Sequence, residues 1–145
     1  MNALLLESPF PSFDLISADQ VVPAIEAILK DNRAALISIK QAVDPNDLVQ
    51  AFHALERLDA RLNEAWAPIA HLNAVMSHDA LRAAYNTCLP LLSAYETELG
   101  QDRDLLRIYH AIEAQQTALG LTPAEGKAVA NALRDFRLSG VALAE

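Results

Sequence analysis

Leu48-Val49-Gln50-Ala51-Phe52-His53-Ala54-Leu55-Glu56-Arg57-Leu58-Asp59-Ala60-Arg61-Leu62-Asn63-Glu64-Ala65-Trp66-Ala67-Pro68-Ile69 places apolar side chains at Leu48, Phe52, Leu55, Leu58, Leu62, Ala65 and Ile69, always three or four residues apart. That spacing stacks them in one stripe along an α-helix; a strand would alternate every two residues. Asp44-Pro45-Asn46 just ahead is a turn-and-cap cluster that starts the helix. Pro68 bends it, because a proline removes one helical hydrogen bond and crowds the carbonyl four residues back. Leu72 and Val75 then continue the apolar face.

The same period extends in both directions. Upstream, Val22, Ile25, Leu29, Leu36, Ile39 and Val43 predict a first helix over 18–43. Ser17 followed by Gln20 has the spacing of a capping box. Pro23 means either that regular helix begins there or that it kinks there. Glu26 and Lys30 form an i,i+4 pair worth about 0.3 kcal/mol. Residues 1–16, with Pro9, Pro11 and Ser12, read as an extended arm on the body of the protein, with Phe10, Phe13, Leu15 and Ile16 to bury. Downstream, a third helix begins near Ser77, with Leu81, Tyr85, Cys88, Leu92, Tyr95 and Leu99 on its face, a kink at Pro90 and a stop at Gly100. A fourth covers 102–119, with Leu105, Tyr109, Ile112 and Leu119 inward and Gly120 as its stop. A fifth starts at the cap Thr122 with Pro123 in its first turn and shows Val129, Leu133 and Phe136 to the core; Ser139-Gly140 ends it.

The expectation is therefore an all-α fold: about five helices in an antiparallel bundle-like or α-solenoid-like array, proline-kinked, with an extended N-terminal arm. Residues 1–145 read as a single helical domain, the arm being 1–16 and the helical array 17–145. No fixed-period repeat runs through it. With only 4 glycines and abundant alanine and leucine, composition also favours helix.

Eleven basic residues against nineteen acidic ones leave a net charge of −8, a field that repels nucleic acid. Arg33, Arg57, Arg61 and Arg82 are scattered among acids. The single cysteine, Cys88, allows no internal disulfide and, beside Tyr85, Leu89 and Leu92, reads as a buried, inert thiol. Met1-Asn2-Ala3-Leu4-Leu5-Leu6 is too short and lacks the positive start of a signal peptide. No stretch approaches the roughly 18 apolar residues of a membrane span. A cytoplasmic protein without nucleic-acid or membrane partners is expected.

A search for chemistry returns little. None of His53, His71, His78 and His110 is followed by glutamate, so H-E-x-x-H is absent; no acid stands three residues ahead of a histidine, so E-x-x-H is absent too. His53 with Glu56, and His110 with Glu113, share helix faces and read as surface pairs. No G-x-S-x-G elbow or glycine-rich phosphate loop is present. No catalytic, metal-binding or cofactor-binding residue is assigned. Trp66-Ala67-Pro68-Ile69-Ala70-His71-Leu72-Asn73 is the one unusual segment. His71 and Asn73 either line a groove beside the kink or bond backbone carbonyls freed by Pro68.

Four stretches carry a family resemblance: Val21-Val22-Pro23-Ala24-Ile25, His71-Leu72-Asn73-Ala74-Val75, Leu89-Pro90-Leu91-Leu92-Ser93-Ala94-Tyr95, and Lys127-Ala128-Val129-Ala130-Asn131-Ala132-Leu133-Arg134-Asp135-Phe136-Arg137-Leu138-Ser139-Gly140. In order and spacing they resemble the amino-terminal helical segment of the oligopeptidase A and thimet oligopeptidase–neurolysin family of zinc metallopeptidases, over nearly all of the chain from about Pro9. The resemblance implies one wall of a deep channel that admits short peptides and excludes folded proteins. It implies one zinc ion in the full-length parent, held by an H-E-x-x-H helix and a later glutamate in a C-terminal catalytic lobe. None of those positions lies in this sequence, so no catalytic residue is carried over and the chain alone is expected to be inactive. His71 and Asn73 are the candidate channel-lining residues. Val141-Ala142-Leu143-Ala144-Glu145 has no polar tail, which leads one to expect a polypeptide that runs on. Apolar faces meant for the missing lobe would let two copies pair. The alternative is a stand-alone helical module that binds a peptide or protein.

Overall fold

The computed structural model describes residues 1–141; Ala142 to Glu145, most of the terminal run from which continuation was expected, lie outside the described residues. Two single 3-10 turns, Ala3–Leu5 and Phe13–Leu15, precede five α-helices: α1 (Ala18–Ala42), α2 (Leu48–Val75), α3 (Asp79–Gly100), α4 (Arg103–Gln115) and α5 (Pro123–Leu138). No strand occurs among the described residues, and the fold is all-α. Helical structure continues through Pro23, Pro68 and Pro90. Regular helix does not wait for Pro23, because α1 already begins at Ala18. No helix is long and apolar enough to cross a membrane.

The chain forms two compact units, residues 1–35 with 57–94 and residues 36–56 with 95–145. α1, α2 and α3 each contribute a stretch to both.

In the first unit the core is Val21, Ala24, Ile25, Ile28 and Leu29 of α1, Ala65 and Ile69 of α2, and Leu81 and Cys88 of α3. Asn32 is fully buried there, and its Nδ2 donates to the Leu58 carbonyl at 3.2 Å, linking α1 to α2 through a polar contact inside an apolar layer. The start of α3 is capped by His78, whose Nδ1 accepts from the Leu81 N–H at 3.3 Å. This sets the helix start two residues beyond Ser77.

The arm departs from expectation. Leu4 is its buried side chain, while Phe10, Phe13 and Leu15 are 77%, 42% and 57% exposed. Yet the arm is held: Asn2 Nδ2 donates to the Gln20 carbonyl at 2.8 Å, Gln20 Nε2 to the Met1 carbonyl at 3.5 Å, and the Phe13 ring lies 5.6 Å from that of His71. These anchors fix the backbone without giving the apolar side chains a surface within the described residues to bury against.

In the second unit Leu48, Ala51, Phe52 and Leu55 of α2 are buried, as are Tyr95 of α3, Leu105, Ile108 and Ile112 of α4, and Val129, Leu133 and Phe136 of α5. α4 and α5 pack together, with the Tyr109 and Phe136 rings 5.8 Å apart. α4 ends at Gln115, so Leu119 falls in the following turn, and Gly120 leaves that turn at φ 67°. α5 opens with a full capping box: Thr122 Oγ1 accepts from the Glu125 N–H at 3.2 Å and Glu125 Oε1 from the Thr122 N–H at 3.3 Å. Gly100 does end α3, but not through a left-handed conformation. A Cβ there would collide with Ser139 Oγ, which is held by donating to the Asp135 carbonyl at 3.0 Å. Close approach, rather than backbone freedom, selects the glycine.

Asp102 caps α4, accepting from the Leu105 N–H at 3.0 Å, and pairs with Lys40 Nζ at 2.5 Å. Partial burial pushes its carboxyl up, but the Lys40 ammonium and the Leu105 and Asp104 N–H groups outweigh that and hold it below the ordinary aspartate value. A depressed folded-state pKa stabilises above the unfolded value of about 3.9, and the gain is lost as pH falls through the folded value. Replacing Asp102 with Ala is therefore expected to cost about 1–2 kcal/mol at pH 7, through cap and ion pair together, and clearly less at pH 2–3. Urea unfolding at the two pH values checks this; an equal cost at both contradicts the assignment.

Candidate functional site

The segment singled out by sequence lies in the last turns of α2. Pro68 and Ile69 are buried and seat this end of the helix in the first unit. Trp66, one turn earlier, stacks on Tyr85 of α3 with ring centres 4.9 Å apart and planes 16° from parallel. Beyond the proline the helix runs on regularly, and the Met76 N–H donates to the Leu72 carbonyl at 2.8 Å.

His71 and Asn73 stand two residues apart, so their side chains leave the helix in diverging directions. His71 is exposed, with its ring tilted against Phe13. Asn73 is half-buried, and its Oδ1 is buried with no hydrogen-bond partner among the described residues. A buried acceptor without a donor costs about 1–3 kcal/mol, so this atom is poised for an N–H or O–H group. Neither side chain bonds a carbonyl freed by Pro68. An imidazole and an amide can each donate and accept hydrogen bonds, the chemistry that holds a peptide backbone. The partnership of Phe13 with His71 joins residues far apart in sequence, and no periodicity signals it.

The remaining histidines are dispersed. His53 lies beside the Phe52 ring at 5.4 Å, His78 caps α3, and His110 Nδ1 is 3.7 Å from Glu113 Oε2 on an exposed surface. Among the described residues no three His, Cys, Asp or Glu side chains are grouped to hold a metal ion.

Cys88 is fully buried. Burial pushes its thiol up to about 11, and the Glu26 carboxylate adds to the rise. At pH 8 its thiolate population is then about 100-fold below that of an ordinary cysteine. An aromatic disulfide reagent should react at least about 100-fold more slowly with the native chain than with the urea-unfolded one; matching rates would show the thiol to be accessible.

Comparison with known proteins places this all-α array in a class, the amino-terminal domains of peptidases. The family described as "Neurolysin/Thimet oligopeptidase, N-terminal domain" matches residues 25–145. The oligopeptidase A of Haemophilus influenzae is 38% identical over 145 residues, covering 99% of this chain and 21% of its own length. That of Salmonella typhimurium is 39% identical over 142 residues, 98% of this chain and 21% of its own. A probable cytosolic oligopeptidase A of Arabidopsis thaliana is 32% identical over 98% of this chain. The chain belongs to the neurolysin/thimet oligopeptidase N-terminal domain family, and it spans about a fifth of the length of these curated relatives.

Proposed function

We propose that the chain forms the amino-terminal wall of the substrate channel in a longer, cytoplasmic, zinc-dependent oligopeptidase that hydrolyses short peptides. The observation that carries this reading is the family match across 25–145, with relatives named as oligopeptidases aligned over 98–99% of the chain. A channel wall acts sterically: it admits an extended peptide, excludes folded proteins and orients the scissile bond. In this reading residues 1–145 are one domain of that protein, and the end of α2 that carries His71 and Asn73 borders the channel.

In this reading zinc is held outside residues 1–145. The sequence holds no H-E-x-x-H, and the described histidines do not converge with other ligands. The metal of the proposed parent belongs to the polypeptide beyond this domain, and the chain alone is inactive.

The test is a chimera in which residues 1–145 replace the aligned segment of the Haemophilus influenzae oligopeptidase A. The chimera is expected to cleave short peptides. Changing His71 and Asn73 together to Ala should raise KM by about 3- to 10-fold with kcat little changed, the signature of lost ground-state positioning. A folded chimera without peptidase activity would sink the reading and favour a stand-alone peptide- or protein-binding module.

A further inference from the structure

The arm presents an unusual combination: apolar side chains that are exposed, on a backbone that is pinned. Leu6 is 49% exposed, Phe10 77%, Phe13 42% and Leu15 57%. A frayed terminus would show such exposure without meaning, but this one is tied to α1 through Asn2 and Gln20 and to α2 through Phe13 and His71. The Phe13 contact brings the arm to the end of α2, where Val75, one turn beyond His71 on the same helix face, and the adjoining Met76 are 60% and 69% exposed. Exposed apolar side chains on a pinned backbone describe a surface prepared for a partner.

Charge narrows the partner. The net charge of −8 opposes an anionic membrane or nucleic acid, leaving a protein surface. The relatives are about five times longer than the chain, so in the channel-wall reading such a surface is at hand in the same polypeptide. We propose that Leu6, Phe10, Phe13, Leu15, Val75 and Met76 form the docking face onto which the rest of the longer polypeptide seats, with His71 at the rim where the covered face meets the open wall. This rests on the channel-wall reading and extends it by naming the seam.

The double substitution Phe10→Ser and Leu15→Ser tests it in two settings. In the 145-residue chain both side chains are solvated, so the thermal midpoint should move by less than about 2 °C. In the chimera described above the same change removes covered apolar area, and the midpoint should fall by about 4 °C or more. Equally small shifts in both settings overturn the proposal. So does a 145-residue chain that sediments as a dimer and becomes monomeric on substitution while the chimera is unmoved, because the face then belongs to a second copy. The midpoint is read independently of peptide cleavage. A folded but inactive chimera therefore defeats the channel-wall reading alone, whereas an active chimera with an unchanged midpoint defeats the docking face alone.

Discussion

Incubated with zinc and a short peptide, the 145-residue chain is expected to leave the peptide uncleaved, at a rate at least about a million-fold below that of the active chimera. Peptide hydrolysis by a metal needs a bound ion that polarises the carbonyl and activates water, held by several converging ligands. Here His53 and His71 lie on α2, His110 on α4 and His78 at the cap of α3, and the cysteine is buried with its thiol pushed up to about 11. In the channel-wall reading what remains is positioning, and without a reacting group positioning accelerates nothing. The control is the chimera assayed under the same conditions. Hydrolysis by the isolated chain that is abolished by a chelator and survives repurification would overturn the assignment of chemistry to the rest of the proposed parent.

The second large effect is on stability. Replacing Phe52 with Ala should cost about 3–5 kcal/mol, lowering the urea midpoint by about 2 M. Phe52 is 1% exposed and is the largest fully buried side chain, set in the second unit with Leu48, Ala51 and Leu55 on the same helix. Its removal leaves a cavity bounded by helices that cannot collapse far. Against a typical domain stability of about 5–15 kcal/mol this loss is severe. The matched control is Ile37→Ala at a 55% exposed position of α1, expected to cost about 0.5 kcal/mol or less. Far-UV circular dichroism in urea measures both; comparable midpoint shifts would show that Phe52 is not packed as described.

The boundaries of these helices were legible where local chemistry sets them. Thr122, Pro123 and Glu125 together specify the start of α5, and the Val129, Leu133 and Phe136 stripe predicts its buried face. α1 ends one residue before the expected Val43, because Asp44-Pro45-Asn46 is a self-contained turn in which Asp44 Oδ1 accepts from the Asn46 N–H at 2.8 Å. Features that depend on distant partners were not legible. The buried position of Ile108 in α4, the closeness of Gly100 to Ser139 and the contact of Phe13 with His71 are set by tertiary packing. The exposure of Phe10 and Leu15 ran against their hydropathy for the same reason: an apolar residue seeks cover, but its own sequence does not say which polypeptide segment provides it. At the candidate site the sequence picked out the segment containing His71 and Asn73, while the diverging directions of the two side chains and the orphan acceptor on Asn73 emerged only with the packing.

The interleaving of the two units has a consequence for the order of synthesis. The first unit draws on nothing beyond residue 94, whereas the second combines residues 36–56 with 95–145. On the ribosome, the earlier half of the second unit emerges long before its complement. At about 5–20 residues per second, the delay in translating the final stretch is on the order of 3–10 s. Through that interval Phe52 and its apolar neighbours on α2 are nascent chain without the later stretch that completes their unit, an exposure of apolar surface that lasts for seconds in each round of synthesis.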